Sequence, residues 1–485
     1  MYTQALLDLQ FSTCMPTPDA LADIAATARA SLTPSERKKF GAYLTPAPLA
    51  RQITRMCMTS PSRVMLGDHG AGSGFLSCLT ASMMLSRADR PREVNIGAYE
   101  VQSKLHKAIR QSLGLVSSQA EAFGADFTAQ LSGDFLEGLE DMLAGRKREL
   151  THSVLNPPYF KIGPKHPANI TLKNTLGFTV PNVYALFIVA TLMMLKEGGE
   201  MVALIPRSFA SGIYYKPFRK FLIENANLTH IVRFSSRSNL FKEDNVLQEN
   251  CVIRCIAGHG QQSRVQLDFW ETPESGCVNT MSAAAELIVS EDCIAMPATD
   301  GEMSALRTVR GQGSSFENAG FEVGTGRCVL HKVSKHFSYT HSPAVAPHIH
   351  AKMFRSGEPV DFTSRSYRGP SGVNICSETE TFLNDAGRYL LIKRVSPNDG
   401  MNQRVASTMF DSRPYHGSKL AISNGLQVVS SRAETVNSQT RHLSALQEYL
   451  TSAQVQDYIR AVNGTTQINK ADLLGMGIPT SLNKL

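Results

Sequence analysis

At 485 residues the chain is too long for one hydrophobic core, and the usual scaling divides it into about two or three domains. A hydrophobic fraction of 42% with 19% charged residues describes an ordinary globular protein and excludes a disordered or fibrous one. The net charge of +7 (pI near 8.9) is scattered rather than blocked, which favours a polyanionic partner without forming a basic tail.

In chain order, residues 1–32 carry no motif, and Thr33–Arg51 opens as a charged helix and passes into the loop Phe40-Gly41-Ala42-Tyr43-Leu44-Thr45-Pro46. From Val64 to about Ala257 short apolar runs alternate with amphipathic stretches, the pattern of βα units on a mostly parallel sheet. Strands are predicted at Val64–Leu66, Val94–Tyr99, Ser153–Leu155, Met201–Ile205, His230–Phe234 and Cys251–Ile256. Helices are predicted at Phe75–Ser86, Ser103–Ser112, Asn182–Leu195 and Tyr215–Glu224, with Gly198-Gly199 as the C-cap of the third. Beyond roughly Gly258 this rhythm stops, and Arg264–Trp270 and Tyr389–Lys393 read as strands of a second domain that closes on an amphipathic helix over Ser444–Val462. The expected fold is α/β: a doubly wound Rossmann-like sheet, then a mixed α+β domain.

The nine cysteines include no CxxC pair, so neither a metal site nor a disulfide framework is indicated, and Cys251 and Cys255 read as small apolar strand residues. The N-terminus lacks a basic segment followed by an apolar one, and no apolar run reaches about 18 residues. A reducing bacterial cytoplasm, with no membrane partner, is the expected location.

Four motifs fall in order at successive strand ends. Asp68-His69-Gly70-Ala71-Gly72-Ser73-Gly74 follows the first strand and opens a helix, where a doubly wound sheet binds nucleotide-like ligands. Glu100 ends the second strand, where a Rossmann-type sheet places the carboxylate that grips a ribose diol, though a solvated acid would look the same. Asp134-Phe135 pairs an acceptor for an adenine amine with a ring for its face, and reads equally as a surface turn. Leu155-Asn156-Pro157-Pro158-Tyr159-Phe160 places an amide, two ring-locked backbone units and an aromatic after an apolar strand. That run is either a Pro-rich turn or a site that docks an amino group and stacks an extruded base on Tyr159, the stacking worth about 1–3 kcal/mol. Together the four suggest an adenosine-bearing cofactor, and the lack of Lys-Ser/Thr after the glycines argues against a nucleoside triphosphate.

In these residues the chain resembles the gamma-class N6-adenine DNA methyltransferases, the TaqI-like amino-methylases of type II restriction-modification systems. Phe40 to Pro46 is similar to that class's leading cofactor motif, and Asp68 to Gly74, Glu100-Val101, Asp134-Phe135 and Asn156 to Tyr159 are similar to the motifs that follow. The loop differs in opening Asp68-His69, where the class more often has an acid followed by Pro. The resemblance implies S-adenosyl-L-methionine as cofactor, held by Thr45, Asp68, Gly70, Gly72, Glu100, Val101, Asp134, Phe135 and Pro158. It implies that Asn156 and Pro157 orient the amine of an adenine flipped out of double-stranded DNA, which Tyr159 and Phe241 hold from two sides. A methyltransferase domain is then expected over residues 36–260 after an extension over 1–35, and a DNA-recognition domain over 261–485 with Arg327, Lys332, Lys393, Arg394 and Lys470 as DNA contacts. It further implies a stand-alone monomeric protective methylase, with any cognate restriction endonuclease encoded separately. The competing readings are methylation of RNA or of a protein glutamine, and a non-catalytic DNA-binding specificity protein.

Overall fold

The computed structural model describes residues 18–41, 43–235, 249–260, 263–272, 274–340, 342–395, 403–413 and 418–484. The chain forms two compact units, one of residues up to 209 with 214–291 and one of 210–213 with 292–485.

The first unit is built on nine strands: β1 (Arg63–His69), β2 (Glu93–Tyr99), β3 (Asp126–Ser132), β4 (Leu150–Leu155), β5 (Leu195–Pro206), β6 (Ala226–Phe234), β7 (Asn250–Ala257), β8 (Arg264–Trp270) and β9 (Cys277–Ala284). Their spatial order is β3-β2-β1-β4-β5-β7-β6-β8-β9. The first five pair in parallel; β7 runs antiparallel between β5 and β6, and β9 antiparallel at the far edge. The order reverses between β1 and β4, and a sheet of this kind opens its ligand crevice beyond the carboxyl ends of the strands at such a point.

The helices of this unit are α1 (Pro18–Ala30), α2 (Pro34–Phe40), α3 (Ala47–Arg55), α4 (Phe75–Leu85), α5 (Ser103–Ala122), α6 (Leu139–Leu143), α7 (Pro167–Leu176), α8 (Val183–Met194) and α9 (Lys216–Asn225), besides a short turn at Ala285–Ile288. Thr33 starts α2 through a reciprocal box in which its backbone N–H and hydroxyl donate to Glu36 and its hydroxyl accepts from the Glu36 N–H. α8 is apolar on every face and buried along almost its whole length, as a helix enclosed by other elements must be.

Several expectations are corrected. β8, read from sequence as part of the second domain, pairs in parallel with β6, so the units divide at 291/292 rather than 260/261. Gly198-Gly199 does not cap α8, which stops at Met194 and passes directly into β5; the pair instead turns the chain near the start of that strand, with Gly198 at φ 76°. α5 continues ten residues past its expected end at Ser112, through Gly114.

In the second unit four strands form an antiparallel sheet in the order Phe321–Thr325, Leu426–Ser431, Arg388–Lys393, Ser407–Asp411. A smaller five-stranded sheet and the helices Asp300–Arg310, Val436–Thr451 and Ala453–Val462 complete most of it. The single helix expected over Ser444–Val462 is two, because the Ser452 side chain leaves the first and accepts from the Val455 N–H to cap the second. Among the described residues no helix is long and apolar enough to cross a membrane.

Candidate active site

A cavity of about 370 Å³ opens at the carboxyl ends of β1, β2 and β4. Thr45, Asp68, Gly70, Gly72, Glu100, Val101, Asp134, Phe135, Asn156 and Pro158 all line it, although they come from segments up to 113 residues apart in sequence. The size suits a ligand of cofactor dimensions.

The glycine loop is fixed to the end of β2. Gly70 and Ala71 N–H groups donate to the Tyr99 carbonyl at 3.0 and 2.8 Å. Glu100 ties the loop further, its Oε2 accepting from Gly72 N–H and its Oε1 from Gln102 N–H, both at 2.8 Å. Gly72 lies at φ 58°, a conformation that suits glycine, and a Cβ there would run into Leu44.

Two acids are buried here. Burial pushes the Asp68 carboxyl up to about 7, against the pull of the Ser77 hydroxyl that donates to it at 2.5 Å, and the charge of Glu100 adds to the rise. Burial also raises Glu100, its two backbone donors pulling it back. A cavity with two such carboxyls favours a ligand that brings positive charge and disfavours a polyphosphate.

The aromatic wall rests on His69. Its ring stacks under Phe135 at 4.0 Å and 15°, with Tyr99 edge-on, and its Nδ1 meets the Thr191 hydroxyl at 2.7 Å. Burial holds this imidazole neutral, its pKa lowered to about 3, so it serves as a flat support. β1 keeps regular pairing with β2 through His69, so His at this position leaves the strand intact.

Asn156 leaves the end of β4 with both halves of its amide engaged. Its Nδ2 donates to the Tyr43 carbonyl at 2.6 Å and the Thr45 hydroxyl at 3.0 Å, while its Oδ1 accepts from the Tyr159 hydroxyl at 2.6 Å. Because a carbonyl can only accept, the amide cannot flip, and Oδ1 is fixed as the acceptor. Gly41, at φ 60°, lets the preceding loop approach closely enough that a Cβ there would lie 2.8 Å from the Tyr159 nitrogen.

The structure separates some residues that the sequence grouped. Pro157 and Tyr159 do not line the cavity; Tyr159 packs edge-on against Tyr184 at 6.2 Å, and its hydroxyl also lies 2.8 Å from the Leu204 carbonyl, a second acceptor for its one hydrogen. Phe241 lies outside the described residues. Lys39, Tyr99, Phe160, His166 and Phe187 line the cavity and were not foreseen. The pair His166-Pro167 was a legible start for α7, since His166 caps it, but nothing in the sequence showed that this cap faces the cavity.

In the second unit, Arg327, Lys332 and Lys470 are exposed. Lys393 lies over the Phe354 ring at 4.9 Å, and burial lowers its pKa. Arg394 is committed within the unit, donating to the Asn424 carbonyl at 2.8 Å and to Asn469 Oδ1 at 3.1 Å.

Sheet order and crevice together define a doubly wound, Rossmann-like α/β fold. Residues 154–241, which contain the Asn-Pro-Pro-Tyr run, match the family described as Eco57I restriction-modification methylase. Over 92% of its length the chain is 25% identical to the type II methyltransferase M.BsuBI of Bacillus subtilis, spanning 88% of it. Over 94% it is 24% identical to M.PstI of Providencia stuartii, spanning 90%. Over most of its length the chain is therefore similar to type II restriction-modification methyltransferases. Among solved structures it is similar to the type IIG restriction endonuclease BpuSI (14% identity, TM-score 0.47, 96% of this chain and 63% of that one). It is also similar to the type IIL restriction-modification enzyme MmeI in complex with DNA (11% identity, TM-score 0.48, 94% and 65%). This chain spans less than two thirds of either, with coverages of 63% and 65%.

Proposed function

We propose that the chain is a site-specific methyltransferase that methylates N6 of an adenine flipped out of double-stranded DNA, with S-adenosyl-L-methionine as cofactor. The observation that carries this reading is the fixed amide of Asn156, whose oxygen is held as an acceptor at the rim of a cavity walled by two buried carboxyls.

N6 of adenine is a poor nucleophile because its lone pair is delocalised into the ring. Asn156 Oδ1 and the Pro157 carbonyl would accept its two hydrogens, localising the lone pair and aiming it without a covalent enzyme intermediate. Thr45 contributes indirectly, since its hydroxyl helps fix which end of the amide faces the amine. Glu100 suits a ribose diol and Phe135 an adenine face, while Asp68 complements a cationic cofactor; Gly70, Gly72, Val101, Asp134 and Pro158 complete the surround. When bound, S-adenosylmethionine supplies a methyl group activated by positively charged sulfur.

A paired adenine keeps its amine within the duplex, so the base must be extruded at a cost of a few kcal/mol. Tyr159 and Phe241 would offset that cost by contact with the base. The second unit would read the site, with Arg327, Lys332, Lys393, Arg394 and Lys470 proposed at or near the DNA. The role that follows is protective modification by a cytoplasmic monomer, with any endonuclease partner encoded apart and not stably bound. To test this, tritiated S-adenosylmethionine is incubated with the protein and duplex DNA, tRNA or a release-factor-like protein. Label in DNA is expected; label confined to RNA or protein, or found in none, refutes the reading.

A further inference from the structure

The loop that follows β5 carries Tyr214, which at 80% exposure is the most exposed of the large apolar and aromatic side chains among the described residues. The next residue behaves in the opposite way. Tyr215 turns inward, stacks on Tyr184 at 5.9 Å and 24°, and lies 3.5 Å from the Ser208 hydroxyl, which in turn meets the Tyr184 hydroxyl at 3.2 Å. Tyr184 is the ring against which Tyr159 packs edge-on. Tyr214 is therefore neighbour to a residue only two ring contacts from the proposed base clamp.

Its loop is also firmly held. Arg219, 1% exposed, donates from Nη1 to the Phe209 carbonyl at 2.9 Å and from Nε to the Glu291 carbonyl at 2.7 Å, pinning the chain just before the loop to the helix just after it. Phe218 is fully buried beside it and packs edge-on against Phe209. Gly212, at φ 80°, makes the turn. An aromatic side chain held out to water on an anchored loop has already lost much of the backbone entropy that binding would otherwise cost.

We propose that Tyr214 is a wedge that enters the DNA base stack beside the extruded adenine and fills the space which that base leaves. The inference rests on the base-flipping reading above. Extrusion breaks stacking on both faces of the target base, and an inserted aromatic ring restores contact to its neighbours in a manner tolerant of sequence. Tyr214 supplies such a ring, and Tyr215, Ser208 and Tyr184 couple its loop to the clamp. It acts as a positioning residue, since it touches neither the cofactor nor the reacting amine.

The test compares Tyr214→Ala, Tyr214→Phe and Tyr214→Trp with the parent on two duplexes carrying the site mapped by methylation-sensitive sequencing. In one the target adenine is paired; in the other it faces an abasic position and leaves the stack with little resistance. The wedge predicts that Tyr214→Ala loses about tenfold or more in kcat/KM on the paired duplex but under about threefold on the other, and that Phe and Trp restore activity. 2-Aminopurine at the target should brighten less with the alanine variant than with the parent. Equal loss on both duplexes, or no loss on the paired one, overturns the wedge while leaving the methylation reading intact. A parent that methylates no adenine in either duplex sinks both.

Discussion

The Tyr159 hydroxyl donates to Asn156 Oδ1 at 2.6 Å, so the acceptor proposed for the substrate amine is already engaged. The same hydroxyl lies 2.8 Å from the Leu204 carbonyl and has one hydrogen to give. Docking of an amine on Oδ1 would turn that hydrogen wholly toward Leu204. Tyr159→Phe should therefore keep methyl transfer within about tenfold while costing roughly 1 kcal/mol of stability for the buried bond. Tyr159→Ala, which also removes the ring, should lose on the order of 10- to 100-fold in kcat/KM for DNA, matching the worth of one stacking contact. Steady-state kinetics with thermal melts separates the two; a phenylalanine variant as impaired as the alanine one would show that the hydroxyl is itself essential.

Gly41 makes the amide's environment possible. At φ 60°, with the Tyr159 nitrogen 2.8 Å from where a Cβ would stand, Gly41→Ala must push the Tyr43–Thr45 segment away from Asn156. Activity should drop by roughly 100-fold or more, the cost of misplacing a catalytic group by about 1 Å. Fold stability should change by only about 1–3 kcal/mol. An alanine variant with parental turnover would show that this approach is not needed.

The buried acids make cofactor affinity depend on pH. Asp68 titrates at about 7 in the folded protein, so below that pH it is mostly protonated, and a cationic ligand that favours the carboxylate must displace the proton. Affinity for S-adenosylmethionine should rise as pH increases from about 5 to 7 and then level off, with proton release seen by calorimetry in buffers of different ionisation enthalpy. Stability without ligand runs the other way. Because the folded state binds the proton more tightly than the unfolded one, stability falls as pH climbs between the unfolded value near 3.8 and about 7. Asp68→Asn should flatten both profiles; a pH-independent affinity in the parent would rule out this role for Asp68.

Two basic residues of the second unit should respond differently. Lys470 is exposed at the start of its helix, and Lys470→Ala should weaken DNA binding at low salt and reduce the salt slope by up to about 1. Arg394→Ala removes donors from the Asn424 carbonyl and Asn469, so it should lower the melting temperature of the protein whether or not DNA is present. Filter binding at several salt concentrations, with melts of both variants, checks the pair, and an Arg394 variant of parental stability would contradict the structural role.

The parts of this molecule that were legible in sequence are those where local chemistry and tertiary role agree. The runs ending in Asp68-His69, Tyr99 and Leu155 are apolar because they lie inside the sheet, and the polar residues that follow are in loops because the crevice is there. β3 escaped notice because Asp126–Ser132 is an edge strand with no fully buried position, so its apolar residues are diluted by polar ones. α5 seemed to stop early because Gly114 resembles a terminator, yet a Cβ there would meet nothing, so this glycine carries no tertiary requirement. The partners of Asn156 were invisible for another reason. Tyr43 and Thr45 are brought to it by loop approach, and Leu204 is brought to Tyr159 by sheet order, neither of which a local pattern encodes.

The most direct test of the central claim is the identity of the methylated atom. Duplex DNA incubated with tritiated S-adenosylmethionine and either the parent or Asn156→Ala is digested to nucleosides, and the labelled nucleoside is identified. The account predicts N6-methyladenine from the parent and label reduced by at least about 1000-fold from the variant, with cofactor affinity retained. Label in cytosine, or an Asn156→Ala protein that methylates adenine near the parental rate, would contradict it.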